Sequence, residues 1–169
     1  MNVGLVGYGE VGRIFTAALV QTGVGFKSDP GSVAWVGAWD VLMRDAAAGD
    51  AMRAHASAAG VEAVDSMAAL TAKADVIVSA VTASQAWAVA DEAARTIRPG
   101  TWFMDLNSCS PGAKRRSSER IDAAGGRYVE SAVMTTVPGY GIRVPMLLGG
   151  AHAEAFRALM TPLGFDMQV

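Results

Sequence analysis

Three glycines near the start of the chain have the spacing of a phosphate-binding turn. The segment Gly7-Tyr8-Gly9-Glu10-Val11-Gly12 reads G-x-G-x-x-G, and it directly follows the apolar run 3–6. In such a turn the first glycine permits the bend, the second admits a pyrophosphate, and the third lets the following helix pack on the strand. The N–H groups at the start of that helix favour a phosphate. The motif predicts a dinucleotide site, with a glycine-rich turn that binds nothing as the alternative; Glu10 is expected to point to solvent.

A carboxylate follows the second apolar run, 33–39. Asp40 at the end of that strand could accept hydrogen bonds from the adenosine ribose and would repel a 2′-phosphate, which favours NAD. It lies 28 positions after Gly12, and a turn-rich loop predicted over 24–32 accounts for this long spacing. Arg44, about one helical turn further on, could pair with a 2′-phosphate instead. The expected cofactor is therefore NAD or NADP, with NAD favoured.

Short apolar runs alternate with alanine-rich helical segments along the whole chain. Strands are predicted at 3–6, 33–39, 61–64, 75–81, 101–106, 128–133 and 144–148. Helices are predicted at 10–23, 43–59, 66–73, 111–124 and 152–162, and another begins after a cap at Thr82 or Ser84. This order indicates an α/β fold of the Rossmann type, a doubly wound and mainly parallel sheet with helices on both faces. All 169 residues are assigned to this one domain.

Composition excludes several classes of function. A net charge of −2 gives no basic field for nucleic acid or an anionic membrane. Lys114-Arg115-Arg116 with Arg120 is interpreted as an exposed helix face, with an anion contact as the alternative. The single cysteine, Cys109, excludes an internal disulfide and fits a reducing compartment. With no apolar run of about 18 residues, no signal peptide and no metal-ligand spacing, the expectation is a cytoplasmic protein without a metal.

Three segments together resemble the N-terminal domain of the β-hydroxyacid dehydrogenase family, which includes 3-hydroxyisobutyrate and 6-phosphogluconate dehydrogenases. They are the glycine turn, Asp-Leu-Asn-Ser-Cys-Ser-Pro at 105–111, and the stretch 128–150, which contains Ala-Val-Met and Val-Pro-Gly. The residues of these segments are most similar to those of a branch of the family whose second domain is phosphogluconate-dehydrogenase-like. The resemblance covers essentially the whole chain. It implies NAD(P)-dependent hydride transfer involving a small hydroxyl-bearing substrate, and a homodimer in full-length relatives.

The resemblance also implies site residues at the ends of the later strands. Asn107 would lie beside both the nicotinamide and the substrate, and Ser108 beside the substrate; the alternative is that both only cap the next helix. The loop after the fourth strand, with Val81 and Thr82, would pass over the adenosine ribose. Asp105 is interpreted as a structural hydrogen-bonding residue.

The later substrate motif departs from the family. Where many members carry Ser-Gly-Gly, this chain has Met134-Thr135-Thr136, whose backbone and hydroxyl groups could still bind an oxygen-rich ligand. Met134 places an apolar side chain where a serine would be, which favours a bulkier or less acidic substrate. The alternative is that Met134 is a core strand residue.

The proton-transfer lysine of this family is expected beyond Val169, in a helical substrate and dimerisation domain, so the catalytic residues stay unknown. Lys27, Lys73 and Lys114 are the only lysines, and none is predicted at the carboxyl end of a strand. His55 and His152 are interpreted as surface residues. Three hypotheses follow: the cofactor domain of a β-hydroxyacid-type dehydrogenase, a stand-alone redox-sensing dinucleotide module, and an imine-reductase-type enzyme.

Overall fold

A computed structural model describes residues 1–23 and 32–169 of the chain. The loop predicted over 24–32 lies outside the described residues except at its last position. The strands are β1 Asn2–Val6, β2 Trp35–Trp39, β3 Glu62–Ala63, β4 Val76–Ser79, β5 Trp102–Asp105, β6 Arg127–Val133, β7 Met146–Gly149 and β8 Met167–Gln168. The helices are α1 Glu10–Gly23, α2 Ala46–Ala58, α3 Met67–Lys73, α4 Ala86–Ala94, α5 Pro111–Ala123 and α6 Ala153–Met160. The predicted order of strands and helices is confirmed.

The strands form one sheet in the order β3-β2-β1-β4-β5-β6-β7-β8. All neighbouring pairs are parallel except β6 with β7, which are antiparallel. The chain winds outward from β1 in one direction through β3, then returns to the other side of β1 and continues from β4. This arrangement confirms the doubly wound, mainly parallel Rossmann-type fold.

The side chains of each strand point alternately to the two faces of the sheet, which divides the apolar residues between two cores. On β1, Leu5 belongs to a core that also contains Phe15 and Phe156 from α1 and α6. Its neighbour Val6 belongs to a second core with Leu70 and Ile121 from α3 and α5. Successive strand side chains point to opposite faces, so both faces of the sheet are covered by helices.

Two predicted helix starts are corrected by local hydrogen bonds. The helix predicted over 43–59 is a 3₁₀ helix at Val41–Arg44 followed by α2, because Asp45 accepts the N–H groups of Ala47 and Ala48 and so caps a new helix. The prediction that Thr82 or Ser84 caps α4 is wrong. Those two hydroxyls lie 3.1 Å from each other, and Gln85 precedes α4 without a side-chain cap.

No helix within the described residues is both long and apolar enough to cross a membrane.

Candidate functional site

An open cleft lies where the winding of the sheet changes direction, at the carboxyl ends of β1, β2 and β4. In open α/β sheets this switch point is where ligands bind. The cleft has a volume of about 570 Å³ and receives residues from the ends of all three strands and from one side of α4. The residues that line it are Val6, Gly7, Gly9, Glu10, Val11, Trp39, Asp40, Val41, Leu42, Arg44, Ala80, Val81, Thr82, Gln85, Ala88, Val89 and Glu92.

The three glycines of the turn have different surroundings. Gly7 adopts φ +92°, and a Cβ there would lie 2.3 Å from the carbonyl oxygen of Ala80. A Cβ at Gly12 would lie 2.1 Å from the carbonyl oxygen of Gly7, since α1 packs directly on the turn. A Cβ at Gly9 would meet no atom within 4 Å, because Gly9 faces the open cleft. Gly7 and Gly12 are therefore required by the fold, whereas Gly9 leaves space for a ligand.

The beginning of α1 presents free hydrogen-bond donors at the same place. The N–H groups of residues 9–12 donate to no acceptor among the described residues, and the first intrahelical bond is from the Arg13 N–H to the Gly9 carbonyl, at 3.0 Å. The first N–H groups of a helix carry partial positive charge and attract anions. Free donors beside an open glycine cradle fit the diphosphate of a dinucleotide.

Asp40 connects the glycine turn to the end of β2. Its Oδ2 accepts the Tyr8 N–H at 2.8 Å, and its Oδ1 accepts the Leu42 N–H at 2.9 Å. The carboxylate lines the cleft, where remaining lone pairs could still accept a ribose hydroxyl. Asp40 thus has a structural role that the sequence did not indicate, beside its predicted ribose contact.

Asp40→Ala is expected to lower the free energy of unfolding by about 1–2 kcal/mol, because two backbone N–H groups lose their acceptor. The glycine turn loses one of its anchors, so affinity for both NAD+ and NADP+ is expected to fall. Urea unfolding and calorimetric titration measure the two effects. Wild-type stability combined with a change in NAD+ affinity alone would contradict the structural role.

The cleft contains one cation among its described lining residues. The guanidinium carbon of Arg44 lies 5.3 Å from the centroid of the Trp39 ring, which is the geometry of a cation–π contact. Arg44 Nη2 also lies 3.7 Å from Glu92 Oε1 on α4. The pair therefore connects the β2 side of the cleft with its α4 side.

Asn107 lies beside the cleft with its side chain buried. Its Oδ1 accepts the Val81 N–H at 2.7 Å, and its Nδ2 donates to Ser79 Oγ at 3.0 Å and to Asp105 Oδ1 at 2.7 Å. The alternative that Asn107 or Ser108 caps α5 is wrong, because that cap is Ser110. Asn107 therefore holds the loop after β4 through its side chain. A contact between its amide and a cofactor stays a prediction.

A buried ion pair lies beneath this amide. Lys114 Nζ lies 3.2 Å from Asp105 Oδ1 and donates to the Asp105 carbonyl oxygen at 2.9 Å, and the two side chains are only 6% and 1% exposed. Tyr128 donates its hydroxyl to Asp105 Oδ2 at 2.8 Å. The prediction of an exposed Lys114 is wrong, since its long side chain folds back to the carboxyl end of β5. Its neighbours Arg115 and Arg116 are exposed, as predicted.

The Tyr128 hydroxyl gives the protein a pH-dependent stability. Burial and the adjacent Asp105 carboxylate raise its pKa well above the ordinary value of 10.0. Above pH 10 the unfolded chain loses this proton while the folded chain retains it, so stability is expected to decrease as pH rises from about 10. Tyr128→Phe should flatten this decrease in urea unfolding between pH 9 and 11. An equal decrease in the variant would contradict the assignment.

The predicted substrate residues lie at the carboxyl ends of β5 and β6, outside the lining of the cleft. Ser108, Thr135 and Thr136 are exposed, and Met134 is 57% exposed, so the alternative that Met134 is a core residue is wrong. Met134 lines a smaller cavity of about 240 Å³ with Pro145, Met146, Leu147, Asp166 and Gln168. Because β5 and β6 are parallel neighbours, the segments that follow them, with Ser108 and with Met134, lie at the same end of the sheet. Their role toward a substrate stays a prediction.

The structure brings most of the predicted cofactor residues together. The cleft lining includes Gly7, Gly9, Glu10, Val11, Asp40, Arg44, Val81 and Thr82. It does not include Tyr8, Gly12 or Asn107, and the Tyr8 side chain points into the core, where its hydroxyl lies 3.1 Å from His55 Nδ1. The sequence did not indicate Trp39, nor Gln85 just before α4 and Ala88, Val89 and Glu92 on that helix. Their i, i+3, i+4, i+7 spacing after β4 was the available signal, since it marks one helix face.

Comparison with known families and structures agrees with this geometry. The family model described as the NAD binding domain of 6-phosphogluconate dehydrogenase matches residues 36–163. A conserved hypothetical protein from Sinorhizobium meliloti 1021 has a TM-score of 0.88 at 30% identity, over 99% of this chain and 53% of that one. A conserved protein of unknown function, described as structurally similar to 3-hydroxyacid dehydrogenases, has a TM-score of 0.79 at 25% identity, over 100% and 57%.

A third structure shares the fold at lower identity. The 3-hydroxyisobutyrate dehydrogenase of Mycobacterium tuberculosis has a TM-score of 0.77 at 20% identity, over 99% of this chain and 53% of that one. The chain thus spans about half the length of the solved structures that it matches. No curated protein matches the sequence. Since the family match covers most of the chain and includes the Asp40 end of the cleft, the chain belongs to the family of the NAD binding domain of 6-phosphogluconate dehydrogenase.

Proposed function

We propose that this chain binds a nicotinamide dinucleotide as the cofactor domain of an oxidoreductase of the β-hydroxyacid dehydrogenase type. The observation that carries the proposal is the set of free N–H groups at residues 9–12, which lie beside an open cleft at the switch point of the sheet. The diphosphate would lie over Gly9, and the adenosine ribose would lie near Asp40.

The chemistry of the whole enzyme is part of the same proposal. When bound, a nicotinamide ring supplies a hydride donor or acceptor. The residues of this chain would bind and orient the dinucleotide, while exposed polar groups at the ends of β5 and β6, such as Ser108 and Thr135, would contact a hydroxyl-bearing substrate. No lysine lines the cleft among the described residues. As the resemblance to β-hydroxyacid dehydrogenases implies, the proton-transfer group would come from a second domain, within a homodimeric cytoplasmic enzyme.

Calorimetric titration of the purified chain with NAD+, NADH, NADP+ and NADPH tests the binding step. We expect saturable binding with one site per chain and a preference for the forms that lack a 2′-phosphate. Thymidine triphosphate, which carries phosphate groups without adenosine or nicotinamide, should not bind. No heat of binding from any of the four dinucleotides at millimolar concentration would overturn the proposal.

Imine reduction is the second candidate reaction. Two imine reductase structures from Myxococcus stipitatus share this fold at 22% and 21% identity, one with NAD+ and one with NADP+. Turnover assays of the gene product with 3-hydroxy acids and with cyclic imines separate the two reactions. Dinucleotide binding without turnover of either class would instead support the stand-alone redox-sensing module.

A further inference from the structure

We propose that Glu92 determines the cofactor preference of this cleft by holding Arg44 away from a 2′-phosphate. The inference rests on the proposed function, since it concerns the adenosine end of the same dinucleotide site. It assigns a role to a residue of α4, the helix that forms the wall opposite Asp40.

Arg44 is the residue that could form an ion pair with a 2′-phosphate. An arginine near the end of β2 is the usual partner of that group, and Arg44 is the single cation among the described residues that line the cleft. Its guanidinium lies against one face of Trp39 and points toward α4, where it meets Glu92 at 3.7 Å. In this position the guanidinium is already paired with a carboxylate.

The charges around this ion pair disfavour binding of a 2′-phosphate. Among the described residues that line the cleft, three carboxylates, those of Glu10, Asp40 and Glu92, stand against one guanidinium. A 2′-phosphate is close to a dianion at neutral pH, so it must both separate Arg44 from Glu92 and approach the Glu92 carboxylate. NAD+, which has a hydroxyl at that position, meets neither cost.

Glu92 can be changed without disturbing the turn that holds the diphosphate. Asp40 accepts two backbone N–H groups, so its replacement alters the glycine turn as well as the charge. Arg44 is the one charged partner of Glu92 among the described residues, and the two side chains are 41% exposed at Glu92 and 59% exposed at Arg44. Glu92→Gln therefore removes the charge and preserves the shape of α4.

The experiment measures Kd for NAD+ and NADP+ by calorimetry in Glu92→Gln and in the wild type. We expect the ratio of the NADP+ Kd to the NAD+ Kd to fall about twofold to fivefold in the variant, because Arg44 becomes free to pair with the 2′-phosphate. In an Arg44→Gln background only the direct repulsion between Glu92 and the phosphate is left, so Glu92→Gln should lower the ratio clearly less than it does with Arg44 present. Asp91→Asn is the charge-matched control, since Asp91 lies on the same helix, pairs with Arg95 and Arg120 and does not line the cleft.

The outcomes separate this inference from the proposed function. If the wild type binds neither dinucleotide, the proposed function fails and the inference falls with it. If the wild type binds but Glu92→Gln leaves the ratio unchanged, the inference alone is overturned. An equal fall in the Arg44→Gln background also overturns it, since Glu92 would then act directly on the phosphate. An equal fall in Asp91→Asn would show a nonspecific charge effect and would likewise overturn it.

Discussion

Gly9→Ala is expected to weaken dinucleotide binding by about 30- to 100-fold while changing the free energy of unfolding by less than about 1 kcal/mol. A methyl group at Gly9 meets no protein atom within 4 Å, so the fold accommodates it. It would occupy the space through which a diphosphate approaches the free N–H groups of residues 9–12. Hydrogen bonds to charged groups contribute about 1.5–3 kcal/mol each, and every 1.4 kcal/mol is tenfold in Kd. Calorimetry with NAD+ and urea unfolding measure the two quantities.

Two other glycines provide matched controls for this result. Gly112 on α5 is also open, with no atom within 4 Å of an added Cβ, and it does not line the cleft, so Gly112→Ala should leave affinity unchanged. Gly12→Ala should instead destabilise the fold by about 1–3 kcal/mol, because its Cβ would lie 2.1 Å from the Gly7 carbonyl oxygen. If Gly9→Ala binds NAD+ as tightly as the wild type, the diphosphate does not pass over Gly9.

Lys114→Met is expected to lower the free energy of unfolding by about 3–5 kcal/mol, the usual cost of leaving one charge of a buried pair without its partner. The Asp105 carboxylate is 1% exposed, so water cannot replace the lost ammonium group. The hydrogen bonds from Asn107 and the Tyr128 hydroxyl remain, which favours the lower part of this range. Urea unfolding monitored by tryptophan fluorescence gives the measurement.

Arg115→Met is the control for this prediction. Arg115 follows Lys114 on the same helix and is exposed, so its replacement should change stability by less than about 0.5 kcal/mol. The ion pair would be energetically unimportant if the two variants were equally stable. A large loss in Lys114→Met alone would show that α5 is anchored to the end of β5 through this side chain.

Much of the fold could be predicted from the sequence because the signals are local. The run 75–81 is rich in β-branched residues and contains β4, and the helical spacing of Phe15 and Leu19 locates α1 and its buried side. The glycine turn could be located for the same reason, since its strand and its helix are adjacent in the chain. These patterns are set by backbone geometry over a few residues.

The features that the sequence did not indicate depend on contacts between distant segments. Lys114 looked exposed beside two arginines, and only the packing of α5 against β5 and β6 brings its ammonium group to Asp105. Asp40 could be placed at the end of β2, yet its bond to the Tyr8 N–H depends on the pairing of β1 with β2. The contact between Arg44 and Glu92 likewise needs two elements that are separated by more than forty residues.

Two side-chain bonds, from Asp40 to the Tyr8 N–H and from Asn107 to the Val81 N–H, fix two of the loops around the cleft before any ligand arrives. A loop ordered during folding has already lost its conformational entropy, so a ligand does not have to order it on binding. The cleft is in this sense preorganised. Substitutions that loosen either bond should therefore weaken binding chiefly through an unfavourable entropy change, even when every atom that contacts the ligand is retained.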